Sequence, residues 1–101
     1  MWQTRKRIRE HREELAVLLE MTKRKIDQSE ESIWSGLSPA DISMDMAIAI
    51  ESLRNFKQVD RDQLKMHFAP TGPLQETAMA SDWTNEYVEI STRFDGLIDR
   101  I

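Results

Sequence analysis

The stretch TRKRIREHREELAVLL, residues 4–19, is the clearest indication of the fold, because a charged run changes there into a regular apolar pattern. Small and apolar side chains recur at spacings of three, four and seven, at Ile8, Leu15, Leu19, Thr22, Ile26, Ser29 and Ile33. Such a narrow stripe is typical of an α-helix that packs on another helix. No proline or glycine interrupts residues 3–35, and Gly36 suits the position just after a helix. The pattern predicts one long helix over residues 3–34.

This predicted first helix is long for a chain of 101 residues. At 1.5 Å per residue it measures about 45 Å. A compact globule of this size has a radius of gyration of about 13 Å and therefore a width of roughly 35 Å. The helix should either protrude from the globule or be covered by a second copy of the chain. We expect the second arrangement, a homodimer paired through the first helix.

A second helix is predicted over residues 39–57. Ser38 is a good N-cap, Pro39 fits the first helical position, and Asp41 lies near the positive end of the helix dipole. The apolar face of this helix is formed by Ile42, Met46, Ala49, Ile50, Leu53 and Phe56. Further apolar residues widen this face toward the opposite side of the helix, so we expect the second helix to be the most buried element.

The remainder of the chain also follows a helical pattern. A turn rich in proline separates two short predicted helices, residues 60–69 and 73–80. A last helix is predicted over residues 82–100, with apolar side chains at Trp83, Tyr87, Ile90, Phe94, Leu97 and Ile101. We therefore predict an all-α fold, a small bundle of three to four helices in one domain, residues 1–101, with the two short helices as a connection.

Composition excludes several classes of protein. Apolar residues make up 40% of the chain and charged residues 32%, which is too charged for a membrane protein and too apolar for a disordered one. No apolar run approaches the roughly 20 residues that cross a bilayer, and the first residues do not resemble a secretory signal. The absence of cysteine excludes disulfides and thiolate metal sites. We expect a cytoplasmic protein that does not contact membranes.

The charge is divided unevenly along the chain. Residues 1–25 hold eight basic and four acidic side chains, a net charge of +4, whereas the rest of the chain has a net charge of −8. A division of this kind favours electrostatic association, including self-association.

The basic residues of the first helix have two interpretations. Arg5, Arg9 and Arg12 lie on one flank of the apolar stripe, where they could contact phosphates of a nucleic acid. The other basic residues surround the helix, glutamates dilute them, and the sequence pI is about 5.2. We therefore favour a protein interface whose flanking charges set the choice of partner. Nucleic-acid binding through this flank is the alternative.

The predicted partner-binding residues combine this flank with the apolar stripe and one tryptophan: Arg5, Arg9, Arg12, Leu15, Leu19, Ile26 and Trp34. Trp34 lies at the end of the predicted long helix beside a glycine turn, where it either covers the turn or anchors a partner.

No pattern of catalytic or metal-binding residues is evident, and we predict no catalytic site, no metal and no cofactor. His11 has no second histidine pair to complete a metal site. His67, between Met66 and Phe68, fits a packing residue better than a general base. A small helical enzyme that uses His67 with nearby acids is the third hypothesis.

The sequence thus favours a small intracellular protein-interaction or regulatory module, such as an adaptor, an inhibitor or an assembly factor, acting through its helix faces. Its expected partners are a second copy of itself, another protein, or both.

Overall fold

The computed structural model describes residues 2–29, 37–70 and 72–101. All regular structure in these ranges is helical. The α-helices are α1 (Trp2–Asp27), α2 (Pro39–Arg54), α3 (Arg61–His67), α4 (Pro73–Ala80) and α5 (Thr84–Leu97), and a 3₁₀ turn (Ile98–Arg100) follows α5. The predicted all-α fold is confirmed over the described residues. None of these helices is both long and apolar enough to cross a bilayer.

Helix α1 ends at Asp27, seven residues before the predicted end at residue 34. Beyond this residue, side-chain hydrogen bonds replace the backbone hydrogen bonds of the helix. The Ser29 hydroxyl donates to the carbonyl of Lys25 at 2.6 Å, and the Ser43 hydroxyl of α2 donates to Asp27 at 2.5 Å. The Ser43 hydrogen bond, and then that of Lys23, lower the pKa of the Asp27 carboxyl group. Residues 30–36, which include the last predicted turn and Trp34, lie outside the described residues.

The shape of the molecule corrects the argument from helix length. Helix α1 has 26 residues and is therefore about 39 Å long. The molecule measures 47 × 22 × 20 Å, with a radius of gyration of 13.5 Å, so α1 can lie only along its longest dimension. The expected mismatch assumed a spherical body. Because the molecule is elongated, its own length accommodates α1, and helix length alone gives no reason for a second copy.

Helix α2 begins with the predicted capping interactions. The backbone N–H of Asp41 donates to the Ser38 hydroxyl at 3.2 Å, and the Ser38 N–H donates to the Asp41 carboxylate at 3.3 Å. The helix ends at Arg54, three residues before the predicted end at residue 57. Phe56 adopts a left-handed conformation, with φ of 56°, and the N–H of Lys57 then reaches the carbonyl of Ser52 at 2.9 Å. These are features of a helix C-terminal motif in which glycine is usual.

Helices α1 and α2 form an antiparallel hairpin, since Arg12 contacts the end of α2 while Asp27 contacts its beginning. Helix α1 also packs on α5. Every helix contributes to one core, which contains Leu19, Met46, Leu64, Leu74 and Phe94 among others.

The boundaries of the last three helices differ little from the prediction. Helix α3 begins after Asp60, whose side chain accepts from the N–H of Gln63, and it ends at His67 rather than residue 69. At Gly72, a Cβ atom would lie only 2.8 Å from the carbonyl oxygens of Met66 and Ala69, so the turn into α4 needs glycine. Helix α5 begins two residues later than predicted, after Asp82 in a left-handed conformation and Trp83.

Candidate functional site

The predicted apolar interface residues of α1 belong to the core. Leu15, Leu19 and Ile26 have no exposed surface. In this structure they have no surface to offer a partner, because α2 and α5 of the same chain cover this stripe. Periodicity identifies the buried face of a helix but does not say whether the covering surface comes from the same chain.

Arg12 is also engaged within the chain. Its Nε donates to the carbonyl of Leu53 at 3.1 Å, and its Nη2 donates to the carbonyls of Ser52 and Lys57 at 3.0 and 2.7 Å. The last carbonyls of a helix lack helical partners and carry the negative end of its dipole. Burial, and to a lesser degree the positive charge of Arg61, lower the pKa of Arg12. Arg12 therefore caps the end of α2, and its guanidinium donates three hydrogen bonds within the chain.

Arg5 and Arg9 lie where the sequence placed them, on an exposed flank of α1. Neither forms a hydrogen bond or an ion pair with any residue that the structure describes. Together with Ile8 and Phe56 they line an open cleft of about 420 Å³. We call these four residues the basic–aromatic cleft. It combines two exposed apolar side chains with two unpaired guanidinium groups.

Phe56 is the residue of the cleft that sequence reasoning misplaced. It was predicted on the buried face of α2, but 64% of its surface is exposed and it follows the end of the helix. The guanidinium carbon of Arg12 lies 5.8 Å from the centre of its ring, a cation–π contact. Arg12 thus connects the end of α2 to the aromatic ring. Asn55, a residue that favours helix ends, was the one local signal that α2 stops before Phe56.

Ile8 extends the buried stripe of α1 beyond the end of α2. It lies seven residues before Leu15 and therefore on the same face of the helix. Helix α2 ends beside Arg12, so α2 does not cover the preceding turn, and 39% of the Ile8 surface remains exposed. The cleft is the place where the core stripe of α1 reaches solvent.

A second exposed surface lies on the side of α1 opposite the core. Val17 and Met21 are 44% and 41% exposed there. Glu10 and Glu14 precede them on the same side, and Arg24 follows. These three charged side chains make no ion pair with any residue in the described ranges, whereas two other glutamates of α1 both bind Arg54. We call Glu10, Glu14, Val17, Met21 and Arg24 the outer α1 face.

His67 is fully buried. Its Nε2 lies 2.9 Å from Asp45 Oδ2, and this contact connects α3 to α2. Its Nδ1 has no hydrogen-bond partner among the described atoms. Because the ring has no exposed surface, a substrate cannot touch it in this conformation. Among the described residues, no group of three or more possible metal ligands lies together.

The chain was compared with protein-family models, with curated proteins and with solved structures, and none of them matches it. The functional interpretation therefore depends on the basic–aromatic cleft and on the outer α1 face.

Proposed function

We propose that this chain is a small protein-interaction module that binds an acidic segment of a partner protein in the basic–aromatic cleft. The observation that carries the proposal is the exposed ring of Phe56, held in a left-handed backbone conformation beside unpaired arginines. An apolar side chain of the partner would occupy the cleft, and its carboxylates would meet Arg5 and Arg9.

The backbone of Phe56 supports this proposal. A residue with a Cβ atom loses roughly 1–2 kcal/mol in the left-handed conformation, and glycine avoids that cost. The structure therefore carries a bulky aromatic ring at a position that stability alone would assign to glycine. Residues in such strained conformations cluster at binding sites. Aromatic residues and arginine are also enriched in the centres of protein interfaces.

The charges near the cleft indicate an acidic partner. The first two turns of α1 contain Arg5, Lys6, Arg7 and Arg9 and no acidic residue before Glu10. Basic side chains at a helix N-terminus oppose the positive end of the dipole, so this arrangement costs α1 stability. A carboxylate-rich segment would relieve both the repulsion among the arginines and the unfavourable dipole interaction. Although the chain as a whole is acidic, charges beyond about 8 Å are largely screened at physiological salt.

A displayed library of random acidic peptides tests this proposal and does not require the partner to be identified first. We expect the wild-type protein to enrich peptides that combine acidic residues with one aromatic or long aliphatic residue. The selected peptides should bind two variants at least about tenfold more weakly than the wild type, a difference of roughly 1.4 kcal/mol. These variants are Phe56→Ala and the double variant Arg5→Glu/Arg9→Glu. Arg93→Glu is the matched control, because Arg93 is exposed on α5 and should leave binding unchanged.

Two results would contradict the proposal. One is selected peptides that bind Phe56→Ala as tightly as the wild type. The other is a protein that retains short oligonucleotides but no acidic peptide, which would favour the nucleic-acid alternative on the same arginines.

We also propose that the protein associates with a second copy of itself and acts in the cytoplasm. The support for self-association is the exposed outer α1 face, which replaces the buried stripe as the surface for a symmetry mate.

A further inference from the structure

We propose that two copies of this chain pair through the outer α1 face, with the two α1 helices antiparallel and Val17 of each copy against Met21 of the other. This inference extends the proposed self-association and does not depend on the basic–aromatic cleft. A second copy of the chain is the expected partner for this face, because the charges along the face complement those of the same face in antiparallel orientation.

The order of side chains along the face provides this complementarity. From the N-terminal end it reads acidic at Glu10 and Glu14, apolar at Val17 and Met21, and basic at Arg24. These residues follow spacings of four and three, so they share one side of the helix. A two-fold axis midway between Val17 and Met21 brings the glutamate end of each copy to the basic end of the other.

The register follows from this axis. Glu14, three residues before Val17, comes opposite the partner's Arg24, three residues after Met21. Glu10 comes opposite the partner's Gln28 by the same symmetry. Each of these pairs occurs twice in the dimer, because a two-fold contact is isologous. The pairing also gives Glu14 an opposite charge, whereas within one helix it lies four residues from Glu10 and the two like charges repel.

Other arrangements of the same two helices are less favourable. An axis through Val17 places Glu14 opposite the partner's Glu20 and Met21 opposite the partner's Glu13. An axis through Met21 places Val17 opposite the partner's Lys25. A parallel pair aligns Glu14 with itself. Each of these opposes like charges or buries an apolar side chain against a charge, which disfavours it.

The proposed contact leaves the cleft open. The paired segments extend from residue 10 to residue 28, whereas Arg5, Ile8 and Arg9 lie before this overlap. The two clefts of a dimer would therefore lie toward opposite ends of the paired helices. Two binding sites in one particle would increase the apparent affinity for a partner that carries two acidic segments.

Charge exchange tests the register. We expect the wild type to dimerise with a dissociation constant in the micromolar range, as befits a contact of two helix faces at the small end of interface sizes. Glu14→Arg alone and Arg24→Glu alone should each weaken the dimer about tenfold, because two attractive pairs become two repulsive ones. An equimolar mixture of the two variants should recover dimers, since a guanidinium of one variant then faces a carboxylate of the other at both ends of the contact. The chain with both substitutions should also recover them.

Sedimentation equilibrium from micromolar to millimolar protein measures these effects. Circular dichroism confirms that every variant is folded, and Glu89→Arg on the exposed side of α5 is the matched control. Peptide binding in the cleft should be unaffected by Glu14→Arg, and dimerisation by Phe56→Ala, so that the two proposals fail separately. A wild type that stays monomeric throughout, or a mixture that associates no better than its components, would overturn the pairing.

Discussion

At the scale of single residues, Phe56 shows how a local conflict identifies a candidate site. Its place after the C-terminus of α2 demands a left-handed backbone, which favours glycine, while its ring lies beside Ile8 and close to the Arg12 guanidinium. The ring is 64% exposed, so it gains little from burial to offset the backbone cost. A role of Phe56 in binding therefore explains its presence at this position better than a contribution to stability does.

Replacing Phe56 by glycine should separate these two roles. We expect Phe56→Gly to raise the free energy of unfolding by about 0.5–1 kcal/mol, because glycine relieves the left-handed strain while little buried surface is lost. Its affinity for acidic peptides should fall at least as far as that of Phe56→Ala. Urea unfolding measures the first effect. Phe56→Ala is the control, since it retains Cβ and the strain, and it should be no more stable than the wild type. A glycine variant less stable than the alanine variant would refute this account.

The roles of some residues could be predicted from the sequence because these residues interact only with near neighbours in the chain. Ser38 and Asp41 form the predicted capping box, and it depends only on residues three apart. Phe56 could not be placed in the same way. It lies three residues after Leu53 and so continues the apolar face of an unbroken helix. Only the left-handed turn redirects its side chain, and the contacts that stabilise that turn come from Arg12, over 40 residues earlier in the chain.

At the scale of elements, the α1–α2 hairpin is held at both ends by side chains. Arg12 binds three carbonyls where α2 ends, and Asp27 binds Ser43 where α2 begins. The sequence predicted both helices but not these connections, because a basic residue on the flank of a stripe can equally face solvent or a neighbouring helix end. The sequence therefore predicts a partner contact for Arg12, whereas in the structure its guanidinium donates hydrogen bonds within the chain.

Removing the Arg12 guanidinium should destabilise the hairpin. We expect Arg12→Met to lower the free energy of unfolding by about 1–3 kcal/mol, since charge-assisted hydrogen bonds to the end of α2 are lost while the apolar stem is retained. Arg12→Lys should recover only part of this loss, because one ammonium group cannot bond three carbonyls in the geometry of a planar guanidinium. Thermal and urea unfolding measure both. Arg9→Met, on an exposed and unpaired neighbour, should change stability by less than about 0.5 kcal/mol. Equal effects at the two positions would contradict the capping role.

At the scale of the whole molecule, the prediction from length failed for a physical reason. Radius-of-gyration scaling gave a correct size but not a shape, and an elongated body of 47 × 22 × 20 Å accommodates α1 along its length. The charge division along the chain was more informative. It favours association, and the structure locates exposed charge on two different parts of α1. These are the basic first turns and the outer face, each beside exposed apolar side chains.

These two surfaces divide α1 into separable parts, and a truncation should reveal the division. Side chains from residue 4 to residue 10 are exposed and the first residue of the described core is Leu15, so a chain that begins at Glu10 keeps that core. We expect its free energy of unfolding to fall by no more than about 1 kcal/mol, chiefly from the partly covered Ile8. The change removes four basic residues, takes the net charge from −4 to −8, and should abolish binding of acidic peptides. Self-association should persist, because the proposed overlap begins at residue 10. Urea unfolding, peptide titration and sedimentation measure the three effects on one protein. A truncated chain that unfolds, or that still binds acidic peptides, would show that the first turns of α1 do not have the separate role assigned to them.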